Sequence, residues 1–318
     1  MEAFLLMPLG GVSLWLWLLF LGIVIVLLAV DLGLLHSKER EIGIGESLVL
    51  SAGYIAIALV FGGWVWHSQG DEAGLAWMTG YLVEKTLSLD NVFVISLIFA
   101  SLAIPRLYQH KVLFWGIVGV IVMRGVMIGF GTALVSQFSW ILYLFGAFLV
   151  FTGIKMLLVR DSGHDDVTGG AMVGWLRRRL RVTPELHGNR FFVRDQGAWR
   201  ATPLFLALIL VESADLIFAV DSVPAIFAIT TDPYIVYTSN IFAVLGLRAL
   251  YFALAAMVHR FAYLKYALAL ILVFIGGKIF WTHLVGKPDP TVTLGVTFVL
   301  IAAGIGVSLW KTRGEARA

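Results

Sequence analysis

Apolar residues fill this chain in long blocks, each separated from the next by a short polar or turn-forming stretch. A block of about 20 apolar residues is long enough to cross a bilayer as a helix. Nine such blocks occur, near 14–35, 46–67, 77–103, 110–134, 139–159, 202–230, 236–258, 263–284 and 290–310. The first, "SLWLWLLFLGIVIVLLAVDLGLL", has Glu2 and no Lys or Arg before it, and no small-residue cleavage site follows. It is expected to be a retained helix, not a signal peptide.

Composition agrees with a membrane protein. Of 318 residues, 60% are hydrophobic and 14% charged, against about 25% charged in a soluble domain. Soluble domains are thereby excluded, and a single transmembrane domain over 1–318 is expected. With no cysteine in the sequence, disulfides and thiolate metal sites are excluded as well.

The basic residues predict an orientation. Lys and Arg in and bordering the loops after spans 1, 3, 5 and 7 and in the C-terminal tail number seventeen, against one on the other side. The positive-inside rule then puts the N-terminus outside and the C-terminus in the cytoplasm. The one long loop, 160–201, falls on the cytoplasmic side. Its "AMVGWLRRRLRV" reads as a short basic amphipathic stretch suited to anionic lipid headgroups. "RFFVRDQGAWRA" reads as a hairpin around Gln196-Gly197, and His164, Asp165 and Asp166 read as ordinary loop polarity.

Eleven charges lie inside the spans, away from their first few residues: Lys85, Arg124, Lys155, Arg248 and Lys278 with Asp31, Glu84, Asp90, Glu212, Asp215 and Asp221. Each Asp, Lys or Arg at a helix centre costs about 2.5–3.5 kcal/mol on the insertion scale, so these groups require partners, water or ions. Their order repeats. "EKTLSLDNVFVISLIFA" (84–100) aligns with "DLIFAVDSVPAIFAITT" (215–231), setting Glu84 on Asp215 and Asp90 on Asp221. "VIVMRGVMIGF" aligns with "VLGLRALYFAL", and "FLVFTGIKMLL" with "ILVFIGGKIFW", pairing Arg124 with Arg248 and Lys155 with Lys278. The two units are three spans apart, so the second enters from the opposite side.

The expected fold is therefore all-α: a polytopic membrane protein of about nine transmembrane helices with a 3+3 inverted-topology repeat. Helices 1–2 cover 14–67, repeat one 77–159, the loop 160–201, repeat two 202–284, and helix nine 290–310. Such repeats carry substrate near the midplane on discontinuous helices. Pro224 is the predicted discontinuity, because it cannot donate to the Val220 carbonyl.

The chemistry points to a hard cation. Carboxylates, Asn91, Ser222 and a carbonyl near Val220 offer oxygen ligands, which suit Mn²⁺, Mg²⁺ or Ca²⁺. Glu212 and Asp215 share a helix face. Asp215 and Asp221, six residues apart, diverge by about 120° in a regular helix, as do Glu84 and Asp90. The spacing alone does not decide whether these acids converge or serve different shells.

"YLVEKTLSLDNVFV", "FGAFLVFTGIKM", "ESADLIFAVDSVPAIFAITTDPYIVYTSNIFAVLGLRALYF" and "FFVRDQGAWRATPL" resemble the TerC family (tellurium-resistance protein C), and within it the Alx branch. The resemblance covers nearly the whole chain. It implies a bacterial inner-membrane protein that exports manganese(II), with acidic positions at Glu84, Asp90, Glu212, Asp215 and Asp221 and a first-helix aspartate at Asp31. The expected arrangement is one midplane metal site with Asp90 and Asp221 central, supported by Asn91 and Ser222. Glu84, Glu212 and Asp215 would alternate between metal and arginine. Manganese is then cargo. No resident cofactor, enzymatic activity or nucleic-acid partner is expected, and no protein partner is assigned. The competing readings are a non-transporting membrane scaffold with structural ion pairs, and an intramembrane aspartyl enzyme.

Overall fold

The computed structural model describes residues 8–9, 11–36, 43–158, 170–195, 197–254, 264–286 and 288–315; the side chains of 31–36, 90 and 248, among others, lie outside the description. The helices are α1 (Leu14–His36), α2 (Ile44–Gln69), α3 (Asp71–Ser101), α4 (Arg106–Gln137), α5 (Ile141–Leu158), α6 (Gly170–Arg179), α7 (Pro203–Phe227), α8 (Pro233–Leu245), α9 (Leu247–Leu254), α10 (Leu264–Leu284) and α11 (Pro290–Glu315). Two small antiparallel hairpins accompany them, β1 (Pro8–Leu9) with β2 (Val12–Ser13) and β3 (Phe192–Asp195) with β4 (Ala198–Ala201).

Among the described residues, α2, α4, α5, α7, α10 and α11 are long and apolar enough to cross a membrane. The fold is an all-α polytopic membrane protein. Shorter apolar helices occupy Leu14–Val30 and Pro233–Leu245. The 31-residue α3 carries Glu84, Lys85 and Asp90 within it, which dilutes its hydropathy. Large apolar side chains such as Val60, Val122, Phe130 and Phe298 point outward, as a lipid-facing surface demands.

In lipid, helices associate through close packing and hydrogen bonds, not through water exclusion. Among the described residues, the two larger of four buried clusters show this. One joins Phe20, Phe61, Trp77 and Phe242 from α1, α2, α3 and α8; the rings of Phe61 and Phe242 lie 4.7 Å apart, and Trp77 Nε1 donates to Thr238 Oγ1 at 3.0 Å. The other joins the far halves of α3 and α4 to α7 and α9.

Helices α5 and α10 touch backbone to backbone. A Cβ at Gly276 would meet the Gly146 carbonyl at 2.6 Å, and one at Gly153 would meet the Ala269 carbonyl at 2.6 Å. No larger residue fits without separating the helices.

The predicted break at Pro224 is not where α7 ends. The helix runs unbroken through Pro224 to Phe227. Pro224 leaves the Val220 carbonyl without its N–H, and the helix ends three residues later, so a bend there displaces little of it. The discontinuity falls instead at Gly246, between α8 and α9, within the block read as 236–258. Residues 255–258 of that block lie outside the described set, as do His164, Asp165 and Asp166. In the long loop, the predicted basic amphipathic stretch forms α6. The hairpin closes Asp195 against Ala198, with Gly197 at φ +82° and Arg200 paired to Asp195 at 2.8 Å.

Candidate functional site

Arg124, at the middle of α4, is buried at 1% exposure. Its Nη1 lies 2.6 Å from Glu84 Oε1 on α3, and its Nη2 3.5 Å from Asp215 Oδ1 on α7. Nη1 also donates to Asn240 Oδ1 on α8 at 2.5 Å and to Ser222 Oγ on α7 at 3.4 Å. Asn240 Nδ2 in turn donates to Glu84 Oε2 at 3.0 Å, and Asn91 Nδ2 to Asp215 Oδ1 at 3.1 Å. One guanidinium thus joins acids from two helices, and two carboxamides hold them in place.

Local helix geometry explains which residues meet. Asn91 follows Glu84 by seven positions and Ser222 follows Asp215 by seven, which returns each to its partner's face within about 20°. The pairs then cross over: Asn91 bonds Asp215, while Ser222 stands beside Glu84 and Arg124.

A buried ion pair forfeits hydration on both partners and is held only by good geometry and further hydrogen bonds. Here two donors and two acceptors remain spare. Arg124 Nε and Nη2 have no hydrogen-bond acceptor, and Asn91 Oδ1 and Asp215 Oδ2 no donor. The centre is charged, enclosed and incompletely satisfied.

The other predicted ligands divide. Glu212, one turn before Asp215 on α7, lies with its carboxylate against Gly119 of α4, where an added Cβ would collide with both oxygens. Asp221 does not join the Arg124 centre. It stands beside Thr152 and Lys155 of α5, because six residues turn it about 120° from Asp215. Of the two arrangements the spacing left open, Asp215 and Asp221 show separate surroundings, not convergence. The side chains of Asp90 and Asp31 lie outside the described residues. Among the described residues, no three His, Asp or Glu side chains are gathered closely enough to hold a metal; the acids that do meet are bridged by Arg124.

Asn240, Gly116 and Gly119 escape a reading based on charge alone. Asn240 left one signal, a polar amide within "TSNIFAVLGLR", whereas the glycines are indistinguishable in sequence from helix-packing ones. Lys85 also finds its place here. Its Nζ donates to the Ala243 carbonyl at 3.0 Å, at the end of α8 where the chain breaks at Gly246. A cation suits a helix C-terminus, where carbonyls lack partners.

The family model described as "Integral membrane protein TerC family" matches residues 69–316. The chain belongs to the TerC family. It is 48% identical over 298 residues to the uncharacterized membrane protein STKORF319 of Myxococcus xanthus, covering 94% of this chain and 93% of that protein. A membrane protein of Rickettsia bellii is 47% identical, with 92% of this chain and 96% of that one covered. A protein of Photorhabdus laumondii described as a candidate membrane-bound redox modulator, Alx, is 45% identical, covering 95% and 96%. No solved structure matches this TerC protein significantly.

Proposed function

We propose that this TerC protein is a secondary transporter that exports divalent manganese from the cytoplasm across a bacterial inner membrane. The observation that carries the reading is the Arg124 centre: Glu84 and Asp215, buried at 2% and 6% exposure, held by one guanidinium. A structural ion pair needs one acid. Here the second acid, with Glu212 one turn away, leaves negative charge in excess, which suits a site that exchanges an arginine for a metal ion. Oxygen-only ligands favour a hard cation, and the family resemblance narrows it to manganese.

The contacts also support the nine-span inverted repeat. The register that pairs Glu84 with Asp215 and Asn91 with Ser222 makes the two cross-contacts exchange images of one another. The register that pairs Lys155 with Lys278 likewise turns the Gly146–Gly276 contact into the Gly153–Ala269 contact. The N-terminus would lie outside and the C-terminus in the cytoplasm, with α6 and the β3–β4 hairpin facing anionic headgroups. In this site Glu84, Glu212 and Asp215 would serve as cargo ligands with Asn91 and Ser222. Asp90 would stay a candidate ligand, Asp31 would act near the cytoplasmic end of α1, and Asp221 would serve an outer position with Lys155. Protons are the proposed counter-ion, since clustered carboxylates titrate as a unit.

The scaffold alternative keeps the ion pairs but needs no movement of metal. A thiol-based redox role has no residue to run on, since this sequence holds no cysteine. Reconstitution decides. Proteoliposomes holding the purified full chain should take up Mn²⁺ in exchange for protons, and Glu212→Gln should abolish uptake. No uptake above empty liposomes would leave the scaffold reading. Equal uptake of zinc or calcium would make the manganese assignment too narrow.

A further inference from the structure

The long loop is fastened to the helices. Val173 and Leu176 of α6, with Leu186 and Phe191 further on, pack against the apolar cluster of α3, α4, α7 and α9. Lys111 of α4 donates to the Asn189 carbonyl at 2.5 Å and stands 4.5 Å from the centre of the Phe191 ring. The Thr183 and Thr202 amides donate to the Ala201 and Phe191 carbonyls, each at 2.9 Å. What this segment turns outward is therefore a fixed surface.

Its height is fixed as well. The Phe192 ring lies 4.4 Å from that of Phe205, the third residue of α7, which is long and apolar enough to cross a membrane. Aromatic side chains at the ends of such helices sit at headgroup level. Strand alternation then sorts the two faces of the hairpin. Val193 and Arg200 share one, where Val193 is buried and Arg200 pairs with Asp195. Phe192, Arg194 and Trp199 share the other, with Arg194 directly across from Trp199. All three are exposed, Trp199 at 72%.

Composition names the partner. Clustered exposed rings are unusual on a surface that meets only water. On α6, Trp175 is exposed too, and Arg178 and Arg179, three and four residues on, share its side of the helix. Residues 170–201 hold seven arginines and no lysine, against Glu185 and Asp195. The planar guanidinium matches phosphate oxygens two at a time, which an ammonium does not. Rings and arginines together at the first turn of a membrane helix fit a phospholipid, with acyl and glycerol carbons under the rings and phosphate against the guanidinium.

We propose that Phe192, Arg194 and Trp199 form a binding site for the headgroup of an anionic phospholipid, with Arg178 and Arg179 of α6 holding further headgroups beside it. The site goes beyond the orientation proposed above, in which this segment only faces the headgroups, by assigning a ligand and the side chains that hold it. Manganese plays no part in it, so the site and the transport reading can fail separately.

The sequence holds no cysteine, so Ala198→Cys, exposed in the hairpin, gives a single attachment point for a polarity-sensitive fluorophore. The labelled full chain is placed in nanodiscs of phosphatidylcholine with increasing phosphatidylglycerol. Its emission should shift to the blue as phosphatidylglycerol rises. Arg194→Gln should raise the phosphatidylglycerol fraction needed for half the shift about fivefold, the worth of one basic residue at an anionic surface. Trp199→Ala should abolish the shift. Both side chains are exposed, so both variants should keep the wild-type Tm. Equal emission with and without phosphatidylglycerol, or a shift that both variants retain in full, would overturn the site. The same shift produced by inorganic phosphate in phosphatidylcholine discs would overturn it too, since the ligand would be a free anion. Failure of manganese uptake in proteoliposomes would count against the transport reading and leave this site standing.

Discussion

The Glu212 carboxylate rests on Gly119, with no side chain between its oxygens and the α4 backbone. The bare Cα is what lets an acid enter the α4–α7 contact one turn from Asp215. Gly119→Ala therefore moves the carboxylate and leaves the fold intact, since the helix gains about 1 kcal/mol from the exchange and Glu212 is flexible at its end. Manganese transport should fall roughly tenfold, ~1.4 kcal/mol, with Tm changed by only a few degrees. A transport rate equal to wild type would remove Glu212's position from the mechanism.

Arg124 holds two buried acids at once, so removing it should be costly. Arg124→Met is expected to destabilise the protein by about 3–5 kcal/mol, the penalty of leaving buried charge unpaired. Neutralising the acids as well, in Glu84→Gln/Arg124→Met/Asp215→Asn, should recover most of that loss while transport stays absent. Unfolding in detergent and proteoliposome uptake measure the two effects separately. A triple variant as unstable as Arg124→Met would show that the hydrogen bonds to Asn91 and Asn240, not the charges, dominate the centre.

Lys85 gives a purely structural prediction. Lys85→Met should cost roughly 1–3 kcal/mol, because the Ala243 carbonyl loses its charged donor where α8 ends. Hydrogen exchange should rise first in residues 243–247. Manganese affinity should hold, since Lys85 faces away from Asp215.

Orientation has its own test. A reporter fused after Ala318 should be active only in the cytoplasm, and one placed in 231–236 only outside. An external C-terminus would overturn the span count together with the inverted repeat.

Much of this architecture is readable from hydropathy. The apolar blocks follow the order of the helices, and the acids of α3 and α7 and the arginine of α4 stand out as charges that lipid would not tolerate alone. The partnerships were harder to see. An acid-x5-acid spacing draws the eye to Asp90 and Asp221, yet the contacts run from Asn91 to Asp215 and from Ser222 to Arg124, at a seven-residue spacing that carries only one charge. Which face is used depends on how α3, α4 and α7 cross, and no local pattern encodes that. Pro224 misled for a related reason. Its chemistry is the same at midspan or in a last turn, and only the position of the following turn, 228–232, distinguishes them. The break at Gly246 is legible only once Lys85 is seen to cap it.

Arg124 has one further consequence, and it concerns speed. Its Nε lacks an acceptor and its Nη2 reaches Asp215 only at 3.5 Å. An arriving water or ligand oxygen can therefore attach to the guanidinium before Glu84 lets go. In the proposed transport cycle each change of partner would proceed by bond making ahead of bond breaking, without exposing a bare charge to hydrocarbon. If the protein transports as proposed, turnover would then be limited by how far α3, α4 and α7 must shift more than by the strength of the ion pair at their centre.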